Sequence, residues 1–161
     1  MNATLLETEN NTSVMKTYHQ ALGIQTEYCM QFIDITDKIL ELVKKSSIEN
    51  GIINIQTRHT TTGILINEHE PLLLDDIKQM LERLAPQNIA YQHNNFAIRT
   101  VNLTPNEREN GHSHCKAIFL KASETLNIAN NKLQLGTWQR IFFVELDGAL
   151  SRNISIMMMG V

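Results

Sequence analysis

The chain is poor in cysteine: Cys29 and Cys115 are its only two in 161 residues, and no Cys-x-x-Cys occurs. That excludes a thiolate zinc cluster and a disulfide-stapled scaffold. It has no Walker loop, no Gly-x-Gly-x-x-Gly and no Gly-x-Ser-x-Gly, so no nucleotide cofactor is expected. Charge is also scarce, at 19% of residues with a net of −3. No broad basic field exists to draw in nucleic acid or anionic lipid, and neither is an expected partner. No apolar run approaches the ~18 residues that would span a bilayer. The N-terminus lacks a basic segment followed by an apolar one, so no secretory signal is expected and the cytoplasm is the default location.

What the chain does have is enough length for one domain with a real core. Residues 1 to about 25 are polar and weakly patterned and read as a flexible N-terminal arm; 26–161 reads as a single domain. Tyr28–Ile33 reads as a strand, followed by a helix capped by Asp34 or Thr36 with Ile35, Ile39, Leu42 and Val43 on one stripe. Strands are expected at Ile52–Thr57 and Ile64–Asn67, and a helix from Pro71 to Pro86 with Leu73, Ile77, Met80, Leu81 and Leu84 on its apolar face. From Gln87 to Gly111 the chain is irregular, with a short strand expected at Ala97–Val101. Ser113 is expected to cap a helix through Lys116–Leu120. The last third reads as consecutive strands, with a hairpin at Asn130-Asn131, strands at Ile141–Leu146 and Asn153–Met158, and Met157–Met159 as strand core rather than a soft-metal site. The fold class expected is α+β, a mainly antiparallel β-sandwich-like sheet with two or three helices packed outside.

Histidine carries the chemical signal. His59 sits in Arg58-His59-Thr60-Thr61-Thr62-Gly63, His93 in Tyr91-Gln92-His93, and His112 and His114 flank Ser113. Neutral imidazole is the commonest protein metal ligand and is poised for proton transfer near neutral pH. Three such rings with an open fourth position would make a catalytic Zn²⁺ site; without metal they would act as acid and base or donate to phosphate. His112 and His114 would share a face in an extended segment, whereas in a helix they would diverge by roughly 200° and only one could face a site. His59 could equally just bond a backbone carbonyl. His19, in the polar arm, and His69, just before a helix, have weaker claims.

Glu68 could be a ligand, a base or an orienter of a histidine, or simply a carboxylate near a helix N-terminus. Trp138, the only tryptophan, could wall a flat pocket or be a buried structural ring. Gln139 and Glu145 could bond a heterocycle or hold a histidine tautomer. Arg58, Lys116 and Arg152 are candidate phosphate contacts, although each alone is more often a surface charge.

These blocks together resemble the YjbQ-like family, described as secondary thiamine-phosphate synthase. The resemblance rests on Arg58-His59-Thr60-Thr61-Thr62-Gly63 through Asn67-Glu68, on Tyr91-Gln92-His93, on Asn110-Gly111-His112-Ser113-His114-Cys115-Lys116-Ala117, and on Leu135-Gly136-Thr137-Trp138-Gln139-Arg140 with Glu145-Leu146-Asp147-Gly148. The match keeps this order from about residue 26 onward. It implies a homotrimer and an active site of His59, His93 and His114; beside these, Glu68 is expected as a further catalytic residue, His112 as an accessory ligand, and Thr60 and Asn67 as substrate contacts. The implied reaction joins a hydroxymethylpyrimidine diphosphate to a thiazole phosphate and releases pyrophosphate, served by a divalent metal, Zn²⁺ or Mg²⁺. Trp138 would face the cation-like pyrimidine methylene. Two departures stand out: the segment Asn94–Glu109 is long, and Asp147-Gly148 is followed by Ala149-Leu150-Ser151-Arg152 rather than Pro-Arg. Two other readings fit the same histidines. One is a metal-assisted hydrolase of a small phosphorylated metabolite, the other a non-catalytic module that captures a small anion or metal.

Overall fold

The computed structural model describes residues 14–161; residues 1–13 of the expected arm lie outside the described residues. Two antiparallel sheets face each other. The larger has the order β1 (Lys16–Gln25), β8 (Ser151–Gly160), β3 (Gly51–Thr57), β5 (Ser123–Ala129), β6 (Lys132–Leu133); the smaller is β2 (Gln31–Asp34), β7 (Gln139–Glu145), β4 (Thr62–Glu68). The helices are α1 (Thr36–Ser46), α2 (Pro71–Leu84) and α3 (Gly111–Ala117). This is the expected α+β sandwich with helices outside.

Hydrophobic periodicity explains the layers. Along β8, Ile154, Ile156 and Met158 are buried while Asn153, Met157 and Met159 face outward, the period-2 pattern of a strand with one covered face. The methionine run is therefore part core and part outer face. Ile53 and Ile55 of β3 join these residues, and Ile64, Ile141, Phe143, Ile39 and Val43 close the core from the other sheet and α1. Every residue from Ile141 to Leu146 is buried. The odd side chains of β7 fill that core, while Phe142, Val144 and Leu146 pack under Leu74 and Leu81 of α2. A strand covered on both faces reads as an unbroken apolar run, and this one does.

Local chemistry sets the element ends. Asp34 Oδ1 accepts from the Thr36 N–H at 2.9 Å and starts α1. Glu70 accepts from the N–H groups of Leu72 and Leu73, ahead of Pro71 in the first turn of α2. Asn130 and Asn131 have φ of 52° and 58°, the paired left-handed residues of a type I′ hairpin.

Three expectations differ from the structure. Lys16–Gln25 is not arm but an edge strand in full register with β8, from Lys16↔Gly160 to Gln25↔Ser151. Its inward side chains Tyr18, Leu22 and Ile24 are only partly covered, which is why its composition looks polar. Ala97–Val101 forms no strand: Arg99 donates to the carbonyls of His93, Val101 and Asn102 and folds the segment onto itself. The third helix begins at Gly111 rather than after Ser113, because the Asn110 carbonyl accepts from Ser113 and His114. Among the described residues no helix is long and apolar enough to cross a membrane.

Asp34 gives a prediction. Burial pushes its carboxyl up, but hydrogen bonds from Thr36, Arg140 and His69 outweigh that and hold its pKa at about 2. A depressed folded pKa stabilises above the unfolded value near 3.8 and loses that stability as pH falls towards 2. Asp34→Asn should therefore cost on the order of 2 kcal/mol at pH 7 and flatten stability between pH 4 and 2 in urea unfolding. An unchanged acid limb would show that this carboxylate is not the group being titrated.

Candidate functional site

One end of the small sheet meets the large sheet at a buried ion pair. Glu145, the last residue of β7, is fully buried, and the side chain of Arg152, near the start of β8, is 9% exposed. Arg152 Nε donates to Glu145 Oε2 at 2.7 Å and Nη2 to Oε1 at 2.8 Å, the two-pronged geometry that suits guanidinium and carboxylate. The Asp147 N–H donates to Oε1 at 2.9 Å. Burial raises the Glu145 pKa, but these donors outweigh it and the group stays below its ordinary value. Arg152 Nη2 also donates to Thr61 Oγ1 at 3.0 Å. Its Nε and Nη2 are thus committed to the protein, while its side chain lines a cavity of about 770 Å³.

His93 and His114 line the same cavity, with ring centroids 4.5 Å apart and planes tilted by 60°. His93 sits on a 3-10 turn, Gln92–Asn94, and His114 on α3. Gly111 allows the two to meet. A Cβ there would lie 2.6 Å from that of Tyr91, and the Gly111 N–H donates to Asn94 Oδ1 at 2.9 Å. Burial, then the neighbouring His93, lowers the His114 pKa. Among the described residues His93 Nε2 and Asn110 Oδ1 are buried and find no hydrogen-bond partner, an arrangement a native interior rarely tolerates. The 94–109 segment forms the outer wall. Arg99 pairs with Glu107 at 3.2 Å, and both line the cavity.

His59 stands next door. Its Nε2 accepts from the Asn153 N–H at 3.0 Å, so the ring proton sits on Nδ1. Burial and then the Arg152 charge lower its pKa. It lines a second cavity of about 570 Å³ together with Arg58, and Thr60 and His114 border both cavities.

The remaining candidates lie elsewhere. Because 112–114 is helical, His114 faces the cavity and His112 faces the interior. There His112 Nε2 lies 3.2 Å from Ser113 Oγ, which donates to the Leu146 carbonyl. Lys116 is fully buried and bonds Glu82 at 2.7 Å, so it lines neither cavity. Asn67, Glu68 and Gln139 belong to the opposite end of the small sheet: Thr62 pairs with Glu145, but Glu68 pairs with Gln139. Seven residues of strand separate the two ends by about 20 Å. Trp138, beside Gln139, is 71% exposed and lines neither cavity. At that far end Asp34 accepts from Arg140 and pairs with His69. His19 lies on the outer face of the large sheet, 3.0 Å from Ser155 Oγ. Asn110, Thr61, Arg99 and Asp147 join the cavity without having been named as site residues; Asn110, Thr61 and Asp147 lie within the quoted sequence blocks, and Arg99 lies in none.

A metal held by three protein imidazoles does not fit this arrangement. Among the described residues no group of three His, Cys, Asp or Glu side chains gathers around one point, and the Nε2 of His59 is already used.

The sequence profile of the family described as UPF0047 protein YjbQ-like matches residues 20–161. A UPF0047 protein of Methanothermobacter thermautotrophicus is 40% identical over 146 residues, 91% of this chain and 94% of the relative. The UPF0047 protein YugU of Bacillus subtilis is 32% identical over 88% of this chain and 98% of its own. A crystal structure of a protein of unknown function from Sulfolobus solfataricus superposes with a TM-score of 0.82 at 35% identity, covering 92% of this chain and 100% of that one. These names carry no reaction, and none mentions thiamine phosphate.

The two buried cations should respond differently to mutation. Glu145→Gln strands a guanidinium and should cost about 3–5 kcal/mol in urea unfolding. Lys116→Met leaves only Glu82, which is 45% exposed and can hydrate, so it should cost under about 1 kcal/mol. Equal losses would contradict the assignment of the Glu145–Arg152 pair as the tie at the cavity.

Proposed function

This chain belongs to the YjbQ-like UPF0047 family, and we propose that it is a small-molecule enzyme acting on a phosphorylated metabolite in the cavity of His93, His114 and Arg152. One observation carries this reading: two adjacent imidazoles and a clamped guanidinium line one hollow of ligand size. Glu145 fixes Arg152 through Nε and Nη2, which leaves Nη1 for a phosphoryl oxygen. Such a preset donor loses little orientational freedom when charge develops.

Burial and the neighbouring His93 favour the neutral form of His114 in the free protein. An incoming dianion favours the protonated form of His114, so anion binding and proton uptake are linked. A proton placed there serves a leaving phosphate or diphosphate as general acid, and the neutral ring serves a nucleophile as general base.

The specific reaction we put forward is transfer of a hydroxymethylpyrimidine from its diphosphate to a thiazole phosphate. The methylene–oxygen bond to the diphosphate breaks, the thiazole nitrogen lone pair forms the new bond to the methylene, and pyrophosphate leaves with its electron pair. What supports it is the anion-binding end of the cavity together with the family resemblance. Mg²⁺ carried by the diphosphate would neutralise charge without needing three protein ligands; Zn²⁺ on the three histidines finds no support in the donor set. Trp138 of the same chain takes no part.

We also propose the homotrimer that the resemblance implies. The outer face of the large sheet carries Ile52 opposite Met159, with Met157 beside them, all more than a third exposed, and such apolar clusters mark association surfaces. A neighbouring subunit is also the one route by which Asn67, Glu68 and Trp138 could reach the cavity. Sedimentation should then give about three times 18.4 kDa.

Calorimetric titration with pyrophosphate in buffers of different ionisation heat tests the site. We expect proton uptake, tighter binding as pH falls from 8 to 6, and loss of both effects in His114→Asn. With pyrimidine diphosphate and thiazole phosphate as substrates, His114→Asn should lower kcat/KM by about 10²–10⁴-fold. Absence of pyrophosphate binding, or binding indifferent to His114 and to pH, would overturn the reading.

A further inference from the structure

Two guanidinium groups line the larger cavity, those of Arg99 and Arg152, and each is matched by a carboxylate. The two matches differ in how firmly they are made. Glu145 is fully buried, takes two hydrogen bonds from Arg152 and a third from the Asp147 N–H, and ends a central strand. Glu107 instead meets Arg99 through Nη1 and Oε1 at 3.2 Å. It belongs to the turn 104–107, where Thr104, Pro105 and Asn106 are exposed, and its Oε2 accepts from Thr104 of that same turn. Arg99 is anchored independently of it, because the guanidinium also donates to the carbonyls of His93, Val101 and Asn102. When Glu107 swings outward, these neutral acceptors keep the guanidinium at the cavity wall with its charge uncompensated. Both charges reach the imidazole pair: behind burial, His93 and Asp147, Arg99 lowers and Glu107 raises the His114 pKa.

We propose that Glu107 is a built-in competitor at the anion site: its carboxylate occupies Arg99 until a phosphoryl group of the ligand takes that place and turns Glu107 out to water. This rests on the reading above, which puts one phosphoryl group beside Arg152. Carboxylate and phosphoryl oxygens suit the same guanidinium donors, so they exclude each other there. Arg99 then serves as the second cation of the cavity, held on its outer wall. Displacing Glu107 costs the ligand one ion pair. A simple monoanion has nothing left to regain that cost once it has met Arg152, whereas an anion with charge on two groups does. The contact therefore works against capture of small monoanions, a repulsive element of the kind that sharpens specificity.

Calorimetric titration with inorganic pyrophosphate tests this in the wild-type protein, in Glu107→Gln and in Glu109→Gln. Glu109 is exposed and does not line this cavity, so its variant reports the general effect of removing one negative charge from the segment. Glu107→Gln should tighten pyrophosphate about fivefold, the upper end for an ion pair still in reach of water, while Glu109→Gln should change it less than about twofold. Hydrogen exchange adds a direct readout: the Thr104 and Glu107 amides of the wild-type protein should exchange faster once pyrophosphate is bound. Affinity indifferent to Glu107, equal tightening in both variants, or exchange at 104–107 that stays the same or slows overturns the competitor while leaving the anion site standing. Failure of both the wild-type protein and Glu107→Gln to bind pyrophosphate overturns the anion site and this inference together.

Discussion

The buried Glu145–Arg152 pair is the interaction on which the rest depends. Glu145 ends the central strand of the small sheet and Arg152 opens a strand of the large one, so their two hydrogen bonds tie the sheets at one end of the sandwich. The same guanidinium reaches Thr61 in the β3–β4 connection, and the Arg152 side chain lines the cavity. A buried pair of this kind seldom adds much to stability beyond what an apolar pair would give, yet breaking it is expensive. What it provides is a cation with a fixed direction in a place where the surrounding structure cannot relax.

Around that cation the chain arranges its proton carriers unequally. His93 and His114 touch and share a wall with Arg152. His59 is held by a backbone N–H and faces a more apolar hollow, and His112 is turned inward to tie α3 to the Leu146 carbonyl through Ser113. The helical geometry of 111–117 makes that division, since neighbours two apart on a helix look in nearly opposite directions. The 94–109 segment closes the cavity from outside, where the Arg99–Glu107 pair lines it.

Much of the fold was legible because its causes are local. Alternation in β8, the Asn-Asn turn, Pro71 at a helix start and the two-faced run of β7 each follow from spacing alone. The edge strand Lys16–Gln25 was not legible, because a strand with one partner and a half-covered face carries too few apolar residues to register. At the site, His59, His93, His114, Glu145 and Arg152 could be picked out as chemically marked residues. Their sorting could not. The roughly 20 Å between Trp138 and Glu145 follows from strand register, and the burial of Lys116 follows from α2 packing over α3; neither leaves a trace in the order of residues. Arg99 carries no motif and becomes visible only when the loop folds.

The central claim is spatial and chemical at once: an anion sits between Arg152, His93 and His114. Crystals grown with tungstate, whose anomalous signal locates it without ambiguity, test that most directly. The predicted map has one strong peak within hydrogen-bond distance of Arg152 Nη1 and the two imidazoles. A peak bound elsewhere, with this cavity filled only by water, would contradict it.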